Sequence, residues 1–217
     1  MKKIAVIGAT GFVGAHVVKE LENRGYQVEA LARNTSKVET SDRVHADDID
    51  VNNVADLAAK LKGNDAVIST FNAGWTNPNI YNDFLQGSEN IEKAVEESGV
   101  KRLIVVGGAG SLHAPDGTQL VDSPDFPAAI KPGAEAARDY LNIIKKNTVL
   151  DWTYFSPAPE MHQGTSGERK GSYRTDLENP VANEDGRSVI SVEDVAVALV
   201  DELENNRFVH KRFTAAY

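Results

Sequence analysis

The stretch Ile4-Ala5-Val6-Ile7-Gly8-Ala9-Thr10-Gly11-Phe12-Val13-Gly14 sets a short apolar run directly before a G-x-x-G-x-x-G turn. Ile4–Ile7 has the uninterrupted apolar character of a strand buried on both faces. A helical period begins at Phe12 and runs to Asn23, with Gly25 as its stop. The three glycines of the turn do different things. Gly8 permits the tight turn, Gly11 lets the backbone approach a pyrophosphate, and Gly14 lets the helix pack close to the sheet. The free N–H groups around Thr10, Phe12 and Val13, with the positive end of the helix, then receive phosphate charge. A glycine pattern alone is weak evidence. The strand before it and the amphipathic helix after it make this one a dinucleotide-binding turn.

Outward from the turn, apolar runs alternate with helix-period stretches. Gln27–Ala32 and a weaker Val44–Ala46 read as the second and third strands, Val54–Leu61 as a helix and Asp65–Ser69 as the fourth strand. A helix over Asn79–Ser98 ends at Gly99, and Arg102–Val106 is the fifth strand. Strands separated by helices imply a parallel sheet with right-handed crossovers, an α/β doubly wound fold in a single domain spanning 1–217. The second half is less regular. Gly107–Ile130 is broken by Pro115, Gly117, Pro124 and Pro127, Ala134–Lys146 is a helix, and Asp151–Phe155 is a strand. Ala158 to Arg187 is irregular again. Ser191 caps a helix over Val192–Glu204, and Phe208–Ala215 is a last strand. The irregular segments 107–130 and 158–187 follow carboxyl ends of strands, where open α/β sheets bind ligands, so these small C-terminal excursions are expected to form the substrate side.

Composition narrows the function classes. The 217 residues are 41% hydrophobic and carry a net charge of −9, which disfavours nucleic acid and anionic membranes as partners. The chain has no cysteine, which excludes disulfides and thiolate chemistry. The basic start Met1-Lys2-Lys3 before an apolar run looks like a secretory signal, but its glycines and the charges at Lys19-Glu20 favour strand, turn and helix. No apolar run approaches the ~20 residues needed to span a bilayer. The cytoplasm is the expected location. The histidines at 16, 45, 113, 162 and 210 match no metal motif, so no metal is expected.

The cofactor form is read at the end of the second strand. An NAD site wants an acidic residue there for the ribose 2′-OH. The sequence instead has Arg33, followed by Ser36 and Lys37, so a 2′-phosphate is expected and NADP(H) is preferred, with NAD(H) possible. The alternative is an ordinary solvated arginine. Ser69, Thr70, Phe71 and Asn72 follow the fourth strand, and topology runs them along the ribose and pyrophosphate.

The stretches GATGFVG, DAVISTFNAGW, RLIVVGGAGSL, DWTYFSPAPEM and SVEDVAVALVDELE resemble the atypical short-chain dehydrogenase/reductases, NAD(P)-binding proteins of the Rossmann fold. Within them the chain most resembles small bacterial proteins named NADH-flavin reductases, relatives of the NmrA-like and biliverdin-reductase-B-like groups. The resemblance implies an adenine contact at Asp50-Val51, though Asp50 also reads as a surface or helix-capping acid beside Asp47 and Asp48. It also implies a serine with a Tyr-x-x-x-Lys pair, and here the sequence departs: Tyr140 is followed four places on by Ile144. Lys131 lies before the helix without such a partner.

Flavin reduction needs less than carbonyl reduction, because water can supply the proton while stacking orients the rings. The acceptor-side candidates are Asn72, Trp75, Gly108, Gly110, His113 and Met161. Ser111 is the candidate catalytic serine, or only a turn residue. Gly107-Gly108 leaves room for a flat ring to approach the backbone, and Trp75 reads either as a stacking face or as a buried structural tryptophan. The expected activity is hydride transfer from NADPH to FMN, another flavin or a planar small-molecule acceptor. The alternatives are a non-catalytic NADP(H) sensor of the NmrA-like type and, third, an epimerase/dehydratase-like enzyme. Oligomeric state is not readable.

Overall fold

The computed structural model describes residues 2–217. In chain order the elements are β1 Lys3–Ile7, α1 Phe12–Asn23, β2 Gln27–Ala32, β3 Val44–Asp48, α2 Val54–Leu61, β4 Ala66–Ser69, α3 Ile80–Ser98, β5 Arg102–Val106, α4 Lys131–Ile144, β6 Asp151–Phe155, β7 Arg174–Asp176, α5 Val192–Asn205 and β8 Lys211–Ala216. One eight-stranded sheet runs β3-β2-β1-β4-β5-β6-β8-β7, and only β7 is antiparallel. Strand order reverses between β1 and β4; at the end of β1, Ile7 pairs with Leu31 of β2 on one side and with Ser69 of β4 on the other. This doubly wound α/β architecture opens a crevice at the carboxyl ends of the strands there.

Two apolar layers hold the sheet. α1 and α5 cover one face, and α2, α3 and α4 cover the other. Ile4, Val6 and Ala30 turn to the first layer and Ala5, Ile7 and Leu31 to the second, as strand alternation requires. Each fully buried Ile or Leu contributes about 1.5–3 kcal/mol. Local signals end the helices where the sequence places them. Gly25 and Gly99 both take positive φ, and Ser191 accepts the Asp194 N–H at 3.1 Å.

The differences lie in the second half. α4 begins at Lys131 rather than Ala134, since Pro132 is tolerated in the first turn of a helix. Residues 174–176 pair with β8 although Arg-Thr-Asp carries no strand pattern. β8 starts at Lys211 rather than Phe208, because Asn206 and His210 hold left-handed backbone and turn the chain between them. Phe208 instead lays its ring on Phe213, with centroids 4.4 Å apart.

Under this second half sits a buried ion pair. Arg102 Nη2 donates to Glu202 Oε1 at 2.6 Å, and Glu202 also accepts from Thr153 Oγ1 and the backbone N–H groups of Arg207 and Phe208. The Glu202 side chain is only 1% exposed, so the pair is justified by its complete set of partners. Glu202→Ala leaves the buried guanidinium without its carboxylate and the Arg207 and Phe208 N–H groups without an acceptor, and a loss of about 3–5 kcal/mol in urea unfolding is expected.

Candidate dinucleotide-binding site

The glycine turn is built by close approach. Gly8 takes φ +83, and its N–H and that of Ala9 donate to Leu31 O at 2.8 and 3.1 Å. A Cβ on Gly14 would stand 2.1 Å from Gly8 O and 2.7 Å from Thr70 Oγ1, so no side chain fits there. One on Gly8 would stand 2.8 Å from Thr70 O. Thr70 closes the arrangement: its N–H donates to Ile7 O at 2.8 Å, and its hydroxyl lies 2.9 Å from Ile7 O and 3.1 Å from Gly8 O. Thr70, expected to run along the cofactor, therefore directs its hydroxyl to the glycine turn itself. The first turn of α1 has neither a side-chain cap nor an acidic residue. Thr10 and Gly11 are exposed, and Phe12 and Val13 are half-buried. Such a cradle, with backbone donors at the positive end of a helix, fits a pyrophosphate.

At the end of β2, Arg33 is exposed, as are Ser36 and Lys37. The loop is pinned by Thr35, whose N–H and hydroxyl donate to Asp48 Oδ1 at 2.8 and 2.7 Å and hold that carboxyl below its ordinary range. Asp50 is exposed and accepts the Asn52 N–H at 2.9 Å, which shapes the entry to α2. Asp50 is thus the surface acid that the sequence offered beside the adenine contact but not the helix cap, which is Asn53, whose side chain accepts the Asp56 N–H at 3.3 Å.

After β4 the candidates diverge. Ser69 is buried. Phe71 turns its ring toward α3, 6.0 Å from Phe84, in space kept free by Gly87, where a Cβ would stand 2.5 Å from the ring. Asn72 accepts the Gly74 N–H at 2.7 Å and forms a turn. Trp75 is 59% exposed, so the buried-tryptophan alternative is overturned. Its indole lies against the start of α4, where a Cβ on Gly133 would come within 2.9 Å.

The loop after β5 differs more. Gly107 does leave room for a flat ring, and the ring is the protein's own: a Cβ there would stand 1.9 Å from the Tyr154 hydroxyl. Tyr154 donates to Ala137 O at 2.7 Å, and burial raises its pKa well above the usual phenol value. Gly108 keeps ordinary contact distance from α4, while Gly110 packs tightly between Val121 and Ala134. Ser111 is 1% exposed and accepts from Arg212 Nη1 at 3.2 Å, with Ser156 Oγ 3.4 Å away. His113 is half-buried, its N–H donating to Glu178 O at 2.9 Å, so the two irregular segments meet. Met161 packs at the margin of the α1/α5 layer, as Val13 does. Tyr140 donates to Glu92 at 3.1 Å from a fully buried position. The sequence reading missed Arg212 and Glu178; an arginine inside the apolar run of β8 was the available signal.

Fold and turn together define an α/β dinucleotide-binding protein. The family model described as NAD(P)H-binding matches residues 8–206, and the chain belongs to that family. Three solved structures are similar over nearly their full lengths. A Burkholderia pseudomallei protein, provisionally described as exported, is 40% identical with a TM-score of 0.87, each chain covered 100%. A Bacteroides thetaiotaomicron protein provisionally named an epimerase is 39% identical with a TM-score of 0.91, covering 100% of this chain and 97% of that one. A Streptococcus pneumoniae protein provisionally named an NADH-flavin reductase is 34% identical with a TM-score of 0.84, covering 100% and 99%. Among the described residues no helix is long and apolar enough to cross a membrane.

Gly14→Ala tests the cradle. Overpacking against Gly8 O is expected to lower stability by about 1–3 kcal/mol and to weaken dinucleotide binding; urea unfolding and a fluorescence titration read the two effects.

Proposed function

We propose that the protein is an NADPH-dependent reductase of flavins or other planar conjugated acceptors. The observation that carries this reading is a dinucleotide cradle and an exposed indole, Trp75, at the same edge of the sheet. When bound, the dinucleotide supplies a hydride; the acceptor takes it with a proton from water, leaving NADP+ and reduced acceptor. The chain's own residues bind, orient and exclude water. Gly8, Gly11 and Gly14 give the pyrophosphate access to backbone donors, and Arg33, Ser36 and Lys37 engage the 2′-phosphate. Trp75 offers an aromatic face, and segments 107–130 and 158–187 wall the acceptor side. The departure from Tyr-x-x-x-Lys, with Tyr140 donating to Glu92, supports an acceptor that needs no protein acid. The relative named for flavin reduction supports the same acceptor class. The cytoplasm is the compartment proposed for this activity.

The direct test follows NADPH absorbance with FMN, riboflavin or a quinone present. Turnover with at least one is expected. Binding without turnover above the buffer rate for any planar acceptor would overturn the reductase reading in favour of a dinucleotide sensor. Arg33→Ala is expected to raise the NADPH dissociation constant about ten- to a hundredfold, the worth of a hydrogen bond to a charged group, while leaving that for NADH nearly unchanged. Equal effects on both cofactors would remove the NADP preference.

A further inference from the structure

Two arginines are buried in neighbouring parts of the sheet, and only one is fully satisfied. Arg102 faces a carboxylate that is itself 1% exposed and donates further to Asn206, Thr153 and the Asp151 carbonyl. Arg212 is different. Its side chain is 1% exposed, yet its counter-ion, Glu178, is 51% exposed and reaches in from the segment after β7. Nη1 donates to Ser111, Nη2 pairs with Glu178, and the buried Nε has no partner. A guanidinium withdrawn from water with a donor unused is costly as pure architecture.

Glu178 enters from solvent, so the route to Arg212 admits an acidic group. Beside the pair lies a groove of about 380 Å³, rimmed by Lys145, His210 and Lys211 and walled by the exposed Leu177. Basic side chains gather there on a chain of net charge −9. Through Ser111 the same guanidinium touches the loop after β5.

We propose that Arg212 is the specificity residue for an anionic acceptor: a phosphate or carboxylate on the acceptor displaces Glu178 and takes its place on the guanidinium. The proposal rests on the acceptor-side reading above and adds the charge of the molecule accepted. Bidentate recognition of such a group is the use to which arginine is best suited.

Matched acceptors test it by binding, without reliance on turnover. FMN against riboflavin varies a phosphate, and anthraquinone-2-carboxylate against its carboxamide varies a carboxylate. Fluorescence titration with NADP+ present is expected to show the anionic member of at least one pair binding about tenfold more tightly or better, which also names the anion. Arg212→Met is expected to abolish the preference. Glu178→Gln, a change at an exposed side chain, is expected to widen it several-fold by removing the competing carboxylate. Equal binding within both pairs, or a preference that Glu178→Gln leaves unchanged, overturns the proposal. Discrimination that persists without any NADPH oxidation would overturn the reductase reading and leave the anion site standing.

Discussion

The contact among Gly8, Gly14 and Thr70 governs the rest of the molecule. Three backbone segments, the end of β1, the start of α1 and the end of β4, meet where even a methyl group would collide with the Gly8 carbonyl. Thr70 holds β4 to β1 beyond their last shared ladder position, so the switch point of the sheet becomes a fixed edge. The start of α1 is thereby presented with no side-chain cap and no acidic residue in its first turn. Backbone donors serve a diphosphate well because they need no rotamer ordering when it arrives.

On this edge the two halves of the chain divide the work. The first half, with its short connections, makes the cradle and the β2 loop that carries Arg33. The second half brings two long segments against one another through His113 and Glu178 and places polar side chains beneath them. It is tied together lower in the sheet, where Glu202 gathers Arg102, Thr153 and the turn after α5. The contrast between the two arginines follows: one charge is sealed by groups that stay in place, the other by a carboxylate on a solvent-facing segment.

Family membership specifies the cofactor class more tightly than the acceptor, for a physical reason. In this fold class a dinucleotide is met by main-chain groups that only glycine leaves accessible, so its recognition is written into a short contiguous string. A substrate in such folds is met by side chains from separated loops, and three relatives with nearly the same backbone carry three different provisional descriptions.

The first five strands, their helices and the place of the glycine turn were legible in the string of residues, because strand alternation, helical period and glycine stops act within a few positions of one another. The position of Arg33, exposed just past the end of β2, was legible too. Longer-range partners were not. Phe71 and Trp75 are both aromatic residues just after β4, yet packing against Gly87 of α3 half-buries the first, while the second stays open beside Gly133. Gly107 announced room for a ring without saying that Tyr154 would fill it. β7 exists only because β8 offers it an edge, and Arg212 meets Glu178 across 34 positions of chain. Local stereochemistry acts between neighbours and can be read in order along the chain. Which side chain occupies a shared space is decided only when distant segments compete for it.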